Sequence, residues 1–340
     1  MKVSLSISCV ASIFFSTVAV AASPPPAPLT LQSTTPLPDI TGGDFDHFAA
    51  DLQRHRLYVS AEIYGSIEVF DLPDGHHVAS ERSVAKSPHK IVLADNGDKL
   101  IIADAGAASA RFVDTRTFDV TRVISLEPQP DSGVVDRRTG IFYLGNGGAQ
   151  SHKDSAYISL ISMADESVLG RIEVPAGQVK AMVIDPSTDR MFVNFRDKNE
   201  IGVVDLKSRK LTGIWRVPGP SRNSAMAFDP ESKRLFIGSR NPGKLFVLDA
   251  SDGSVLQTLD IVDTSDEIIV DRLHGRLYVA GSNGLDVIRR IKKDHYGIAQ
   301  YVDTLGGKTA MYVQSMKKLY VIHTKSAEVT EAGLQVFNVN

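Results

Sequence analysis

One short segment recurs seven times along this chain: a turn, a basic or small residue, then an apolar triplet. The copies are Arg56-Leu-Tyr-Val59, Lys99-Leu-Ile-Ile102, Ile141-Phe-Tyr-Leu144, Arg190-Met-Phe-Val193, Arg234-Leu-Phe-Ile237, Arg276-Leu-Tyr-Val279 and Lys318-Leu-Tyr-Val321. Their matched positions Leu57, Leu100, Phe142, Met191, Leu235, Leu277 and Leu319 are spaced by 43, 42, 49, 44, 42 and 42 residues. β-Branched and aromatic residues in near-alternation read as strand. Around each copy the order of elements repeats. A first strand ends at an acidic turn, as in Met182-Val-Ile-Asp185. The signature strand follows, then a third ending apolar-apolar-Asp (Val203-Val-Asp205), then an edge strand such as Gly213-Ile-Trp-Arg-Val217. Four strands per unit of this length is the blade of a β-propeller, because such a unit buries its faces only against like neighbours. The expected fold is therefore all-β, a seven-bladed propeller of four-stranded antiparallel blades. The last unit stops at Asn340 after its third strand, Leu334-Gln-Val-Phe337, and Leu29-Thr-Leu-Gln32 can supply the missing fourth. That pairing closes the ring and hides two sheet edges.

The chain start reads as an export signal. Lys2 precedes an uncharged run, Val3 to Val20, and Ala19-Val20-Ala21 offers a small-x-small cleavage site. An uncleaved anchor is the rival, since the run is nearly long enough to span a bilayer. The expected division is residues 1–21 as signal, 22–43 as extended leader and ring-closing strand, and 44–340 as the propeller, one domain with 22–43. A periplasmic or secreted location follows, with no later membrane span. Cys9 is the only cysteine and lies in the signal, which excludes a disulfide scaffold, a Cys-ligated zinc site and a cysteine nucleophile. With 37 Lys+Arg against 40 Asp+Glu, no basic excess exists for nucleic acid as a primary partner. The single tryptophan, Trp215, disfavours the tryptophan-rich quinone propellers, and the Trp-Asp and Gly-His marks of WD40 blades are missing.

The repeat resembles the YVTN or YncE-like family of bacterial seven-bladed propellers, most closely over Leu57 to Asp71 and Met191 to Asp205. The resemblance spans nearly all of the mature chain. It implies the fold and not the function, because lactonases, antibiotic-cleaving lyases and proteins of unassigned role share it.

Repeat phasing places a ring of residues at one channel mouth, where propellers usually bind ligands. Counting back eleven from each matched position gives Asp46, His89, Asp131, Lys180, Ser224, Asp266 and Lys308. One residue later come His47, Lys90, Ser132, Ala181, Ala225, Glu267 and Thr309. Second-strand ends add Glu62, Asp104, Asn146, Arg196, Arg240 and His323, and a polar loop, residues 146–154 with His152, lengthens the third blade. The turn histidines His55, His76, His77, His274 and His295 are expected at the surface.

Two readings of this ring stay open. It can be a wet mouth braced by ion pairs, such as Asp131 with Lys180, or Lys308 between Asp266 and Asp46. Alternatively it binds a small polar or anionic ligand, a peptide or a glycan. Lys180, Arg196 and Arg240 would then clamp a carboxylate or phosphate between the fourth and fifth blades, with acidic groups opposite and the field polarised. His47, His89 and Asp131 are the candidates for proton transfer, the basis of an alternative reading as a lyase or lactone hydrolase. With Asp46 they also suit a divalent metal. No H-E-x-x-H, G-x-S-x-G or glycine-rich phosphate loop supports either chemistry. The sequence identifies no cofactor, and a monomer is expected.

Overall fold

In the computed structural model, which describes residues 26–147, 154–219 and 222–340, seven four-stranded antiparallel sheets form a ring. In six sheets the strands lie in sequence order from first to fourth, as in blade 1: Phe45–Asp51, Arg56–Ala61, Ser66–Asp71, His77–Glu81. Blade 7 takes its first three from Thr309–Val313, Lys318–His323 and Ala332–Val339 and its fourth from Leu29–Leu37. The ring is thus closed by the N-terminal strand. That strand runs nine residues, further than Leu29–Gln32, and its register pairs Leu29 with Val339 and Thr35 with Leu334.

The core sits between blades. Seven apolar clusters occupy the seven junctions. The junction of blades 7 and 1 packs Leu37, Phe45, Leu57, Phe70, Tyr320, Leu334 and Val336, and these clusters hold signature residues such as Leu57, Leu100 and Met191 at 0% exposure. Four blades also set opposite charges across from each other at one corner. A basic residue opening the second strand faces an Asp closing the third: Arg56 with Asp71, Lys99 with Asp114, Arg190 with Asp205, Arg234 with Asp249. The acid ending each first strand organises its turn. Asp51 Oδ1, for example, accepts the Gln53 and Arg54 amides at 3.0 Å each. No helix among the described residues is long and apolar enough to cross a membrane.

The first strands carry the feature that shapes the mouth. Their pairing with the second strands breaks between Phe45 and Phe48, between Pro88 and Ile91, and between Val179 and Met182. A bulge re-aims side chains that strict alternation would send to opposite faces. Both members of Asp46-His47 and of Lys180-Ala181 consequently line the channel.

Candidate functional site

All seven phased residues, Asp46, His89, Asp131, Lys180, Ser224, Asp266 and Lys308, line one cavity of about 420 Å³ at the channel mouth. His47, Ser132, Ala181, Glu267 and Thr309 line it one residue on, and Glu62, Arg196 and Arg240 reach it from second-strand ends. Lys90 lies deeper, its Nζ 3.4 Å from His47 Nδ1, and faces a second cavity at the other end of the channel. The second cavity is larger, about 770 Å³, but Val92, Val134 and Met311 contribute apolar walls to it. Convergent charged groups mark the upper mouth as the candidate site.

Several expected members lie elsewhere. His323 is 3% exposed, sits against Gly333 and is not in the cavity wall. Asp104 turns to Arg111 and the amides of Lys86 and Ser87, and Asn146 donates to the Glu127 carbonyl. Short side chains with a nearby backbone partner cap their own loops. His152 falls outside the described residues, as does the proposed signal. Two turn histidines also make specific bonds: His77 to the buried Glu68 at 2.8 Å and His274 to Asp271 at 2.7 Å. Asp44 is a cavity residue that phasing did not find, because it precedes the strand from which the ring is counted.

Around the mouth, cation and anion alternate in linked pairs. Lys180 bonds Asp131, and Arg240 bonds Asp266. Lys308 lies 3.0 Å from Asp266 and also pairs with Asp44, not with Asp46. His89 Nδ1 is 2.7 Å from Asp46 and 3.6 Å from Asp131, while its Nε2 is 3.4 Å from Glu62. The expectation of three free cations facing an acidic half is therefore corrected. Lys180 and Arg240 already hold carboxylates from the neighbouring blades, so the field is interleaved. Arg196 differs. It is 8% exposed, its Nη2 donates to Ser224 Oγ, and its Nε has no partner. Ser224 Oγ in turn lies 3.1 Å from Asp266. Burial, with Arg240 behind it, pulls Arg196 down to about 10, so it stays charged at neutral pH.

Titration separates the two histidines. Burial would lower His89, but the hydrogen bond and charge of Asp46, then Asp131 and Glu62, push it up to about 9. His47 is pulled to about 4 by burial, against Asp46 and with Lys90. Burial raises Glu267 to about 7, with Lys90 opposing and Asp266 adding to the rise. At neutral pH His89 is thus an acid and His47 a neutral, weak base.

The His89 pairing stabilises the fold fully below the ordinary histidine value of 6.5 and is lost as pH rises to about 9. Glu267 is half ionised near 7 and completes its titration within about a unit above that, and His47 acts below 6.5, so His89 carries most of the change up to 9. The expected loss between pH 7 and 9 is roughly 2–3 kcal/mol, following from the size of the shift. Denaturant midpoints of wild type should fall over that interval, and those of His89→Gln should fall far less. Parallel profiles for the two proteins would refute the assignment.

One ligand atom each from Asp46, His89 and Asp131 can be brought together within 4.8 Å. One imidazole and two carboxylates suit a divalent ion. In this arrangement, however, His89 Nδ1 is already hydrogen-bonded to Asp46 and Lys180 neutralises Asp131. An ion would have to displace both.

No protein-family model matches the sequence, and no curated protein does. Among solved structures, a chain from one described as "Crystal Structure of Mitotic Checkpoint Complex" aligns with a TM-score of 0.73 at 12% identity, covering 97% of this chain and 99% of that one. At that identity the likeness concerns the fold alone. With 1687 solved chains matching, the fold is too widely shared to choose a function. What the comparisons and the geometry establish together is a seven-bladed β-propeller.

Proposed function

We propose that this chain is an exported propeller of the YVTN or YncE-like kind that binds a small anionic ligand in its charged mouth. The observation that carries this reading is Arg196: a guanidinium buried in the wall with only a serine hydroxyl as partner and its Nε unsatisfied. Burying a guanidinium with no carboxylate bonded to it is expensive. A carboxylate or phosphate placed against Arg196, with Ser224 and Arg240 beside it, removes that cost through charge-assisted hydrogen bonds. The small side chains of Ala181 and Ser224 leave room for it. Export rests on Lys2, the uncharged Val3–Val20 run and the small residues after it.

A lyase or lactone hydrolase would need a free base. Neither histidine fits that role near neutral pH, and Glu267, near 7, is the cavity group best matched to proton transfer. Binding is the stronger reading, with the anion rather than a metal as the ligand.

Calorimetric titration with citrate, phosphate and sugar acids tests it. Arg196→Ala is expected to weaken the best-bound anion by roughly 1.5–3 kcal/mol, the range for a hydrogen bond to a charged group. Its melting temperature should stay close to that of wild type, because no carboxylate loses its partner. Prior dialysis against a chelator should leave the affinity unchanged. Equal affinity in wild type and Arg196→Ala would end the proposal, and loss of binding after chelation would move the ligand to the Asp46–His89–Asp131 cluster.

A further inference from the structure

Blade 6 breaks the corner rule that blades 1, 2, 4 and 5 keep. Where Arg56, Lys99, Arg190 and Arg234 each face an Asp, Arg276 faces Arg289. Like charges directly opposed across strands are destabilising. The Arg276 guanidinium turns instead to the carbonyl of Asn340, at 2.7 Å.

Beyond Arg289 the sequence stays basic: Arg289-Arg-Ile-Lys-Lys293. The third strand of this blade, Gly284–Lys292, has nine residues where those of blades 1, 2, 4 and 5 have six. It continues into a hairpin with His295–Val302. Arg289, Arg290, Ile291, Lys292, Lys293 and His295 are all exposed. A register break between Arg290 and Lys292 sets Ile291 in a bulge, where it is 58% exposed. Asp294, the acid of the turn, is engaged by Arg234 of blade 5 at 2.6 Å. Among the described residues none of the four hairpin cations forms an ion pair, although the chain as a whole carries a net charge of −3.

Strands alternate in direction, so the end of a third strand lies on the face opposite the charged mouth. The chain also enters the domain on that face. The Pro28 carbonyl is 3.5 Å from the guanidinium of Arg276, the residue paired with Arg289.

We infer that the blade 6 hairpin is a docking element for an anionic phospholipid surface. Its four cations meet the headgroups, and Ile291 enters the boundary between headgroups and acyl chains. An acidic peptide or glycan would use the cations but leave the bulged isoleucine without a role. A bulged apolar residue set among four cations favours lipid. Docked this way, the charged mouth faces away from the membrane.

Co-sedimentation of the mature chain, residues 22–340, with phosphatidylcholine vesicles and with mixed phosphatidylcholine–phosphatidylglycerol vesicles tests the inference. Binding is expected only to the mixed vesicles and should fade as salt rises. Arg290→Gln with Lys292→Gln should lower the partition coefficient about tenfold or more, each surface cation contributing about 1 kcal/mol. The charge-matched control Arg122→Gln with Arg216→Gln, exposed on blades 2 and 4, should change it less than about twofold. Ile291→Ser should lower it several-fold with an unchanged melting curve. No binding to mixed vesicles at low salt would overturn the inference, as would an equal loss in the control pair. If Ile291→Ser has no effect while polyglutamate or heparin displaces the protein, the hairpin docks an acidic polymer and the lipid assignment is wrong.

Discussion

Deleting residues 22–37 from a protein of residues 22–340 is expected to abolish cooperative folding or to lower the melting temperature by more than about 10 °C. The strand Leu29–Leu37 contributes the whole outer edge of blade 7, pairing along its length with Ala332–Val339. Leu29 and Leu37 are 2% and 3% exposed, each packed into a different inter-blade cluster. Loss of those two side chains alone removes roughly 3–6 kcal/mol of apolar burial. The ladder lost with them leaves Ala332–Val339 as an unpaired apolar edge, open to aggregation. In a fold whose total stability is on the order of 5–15 kcal/mol, that is a large share. Thermal denaturation of the proteins of residues 38–340 and 22–340 compares them directly. A truncated form that melts within a degree or two of the longer one would show that the ring holds without its closing strand.

The second large effect is expected from Asp266→Ala. Asp266 is the shared acceptor of the mouth: Arg240 bonds it, Lys308 lies 3.0 Å away and Ser224 3.1 Å away. Burial alone would raise its carboxyl, yet Lys308, Arg240 and Arg196 hold it below the usual carboxylate range. Removing it takes the carboxylate from Arg240, leaves Lys308 to Asp44 alone and strips Arg196 of a neighbouring negative charge. Breaking a buried pair costs about 3–5 kcal/mol, and the partial exposure of this one reduces the expected loss to roughly 2–3. The same change should strengthen anion binding, because Arg240 then joins Arg196 in lacking a bonded carboxylate. Phosphate should accordingly restore much of the lost stability by mass action. A destabilised variant that phosphate does not rescue would mark these residues as a brace and nothing more.

The fold was legible because a propeller writes its architecture repeatedly. Leu57 and its six counterparts recur at nearly constant spacing, and the want of a fourth strand after Phe337 pointed back to Leu29. The ring at the mouth followed from the same phasing, since strand starts hold their place from blade to blade. The partners of those residues were less legible. Sequence left Lys180 open between a clamp and a brace with Asp131, and the structure has the brace; Arg240 read only as a clamp, but it too reaches a carboxylate on an adjacent blade, a choice set by a distance no spacing encodes. Second-strand ends divided in the same way. Long Arg196 and Arg240 extend into the cavity, whereas Asp104 and Asn146 satisfy nearby groups first. Asp44 escaped because it lies outside the repeat. The basic hairpin is legible only as a departure, an arginine where the repeat places aspartate.

Whether Arg196 receives an anion decides the functional account, and anomalous diffraction from crystals soaked in selenate or bromide would answer it. An anomalous peak is expected within hydrogen-bond reach of the Arg196 guanidinium and Ser224 Oγ, between blades 4 and 5, and it should vanish in Arg196→Ala. Peaks at exposed lysines with none at Arg196, or a peak that persists unchanged in Arg196→Ala, would contradict it.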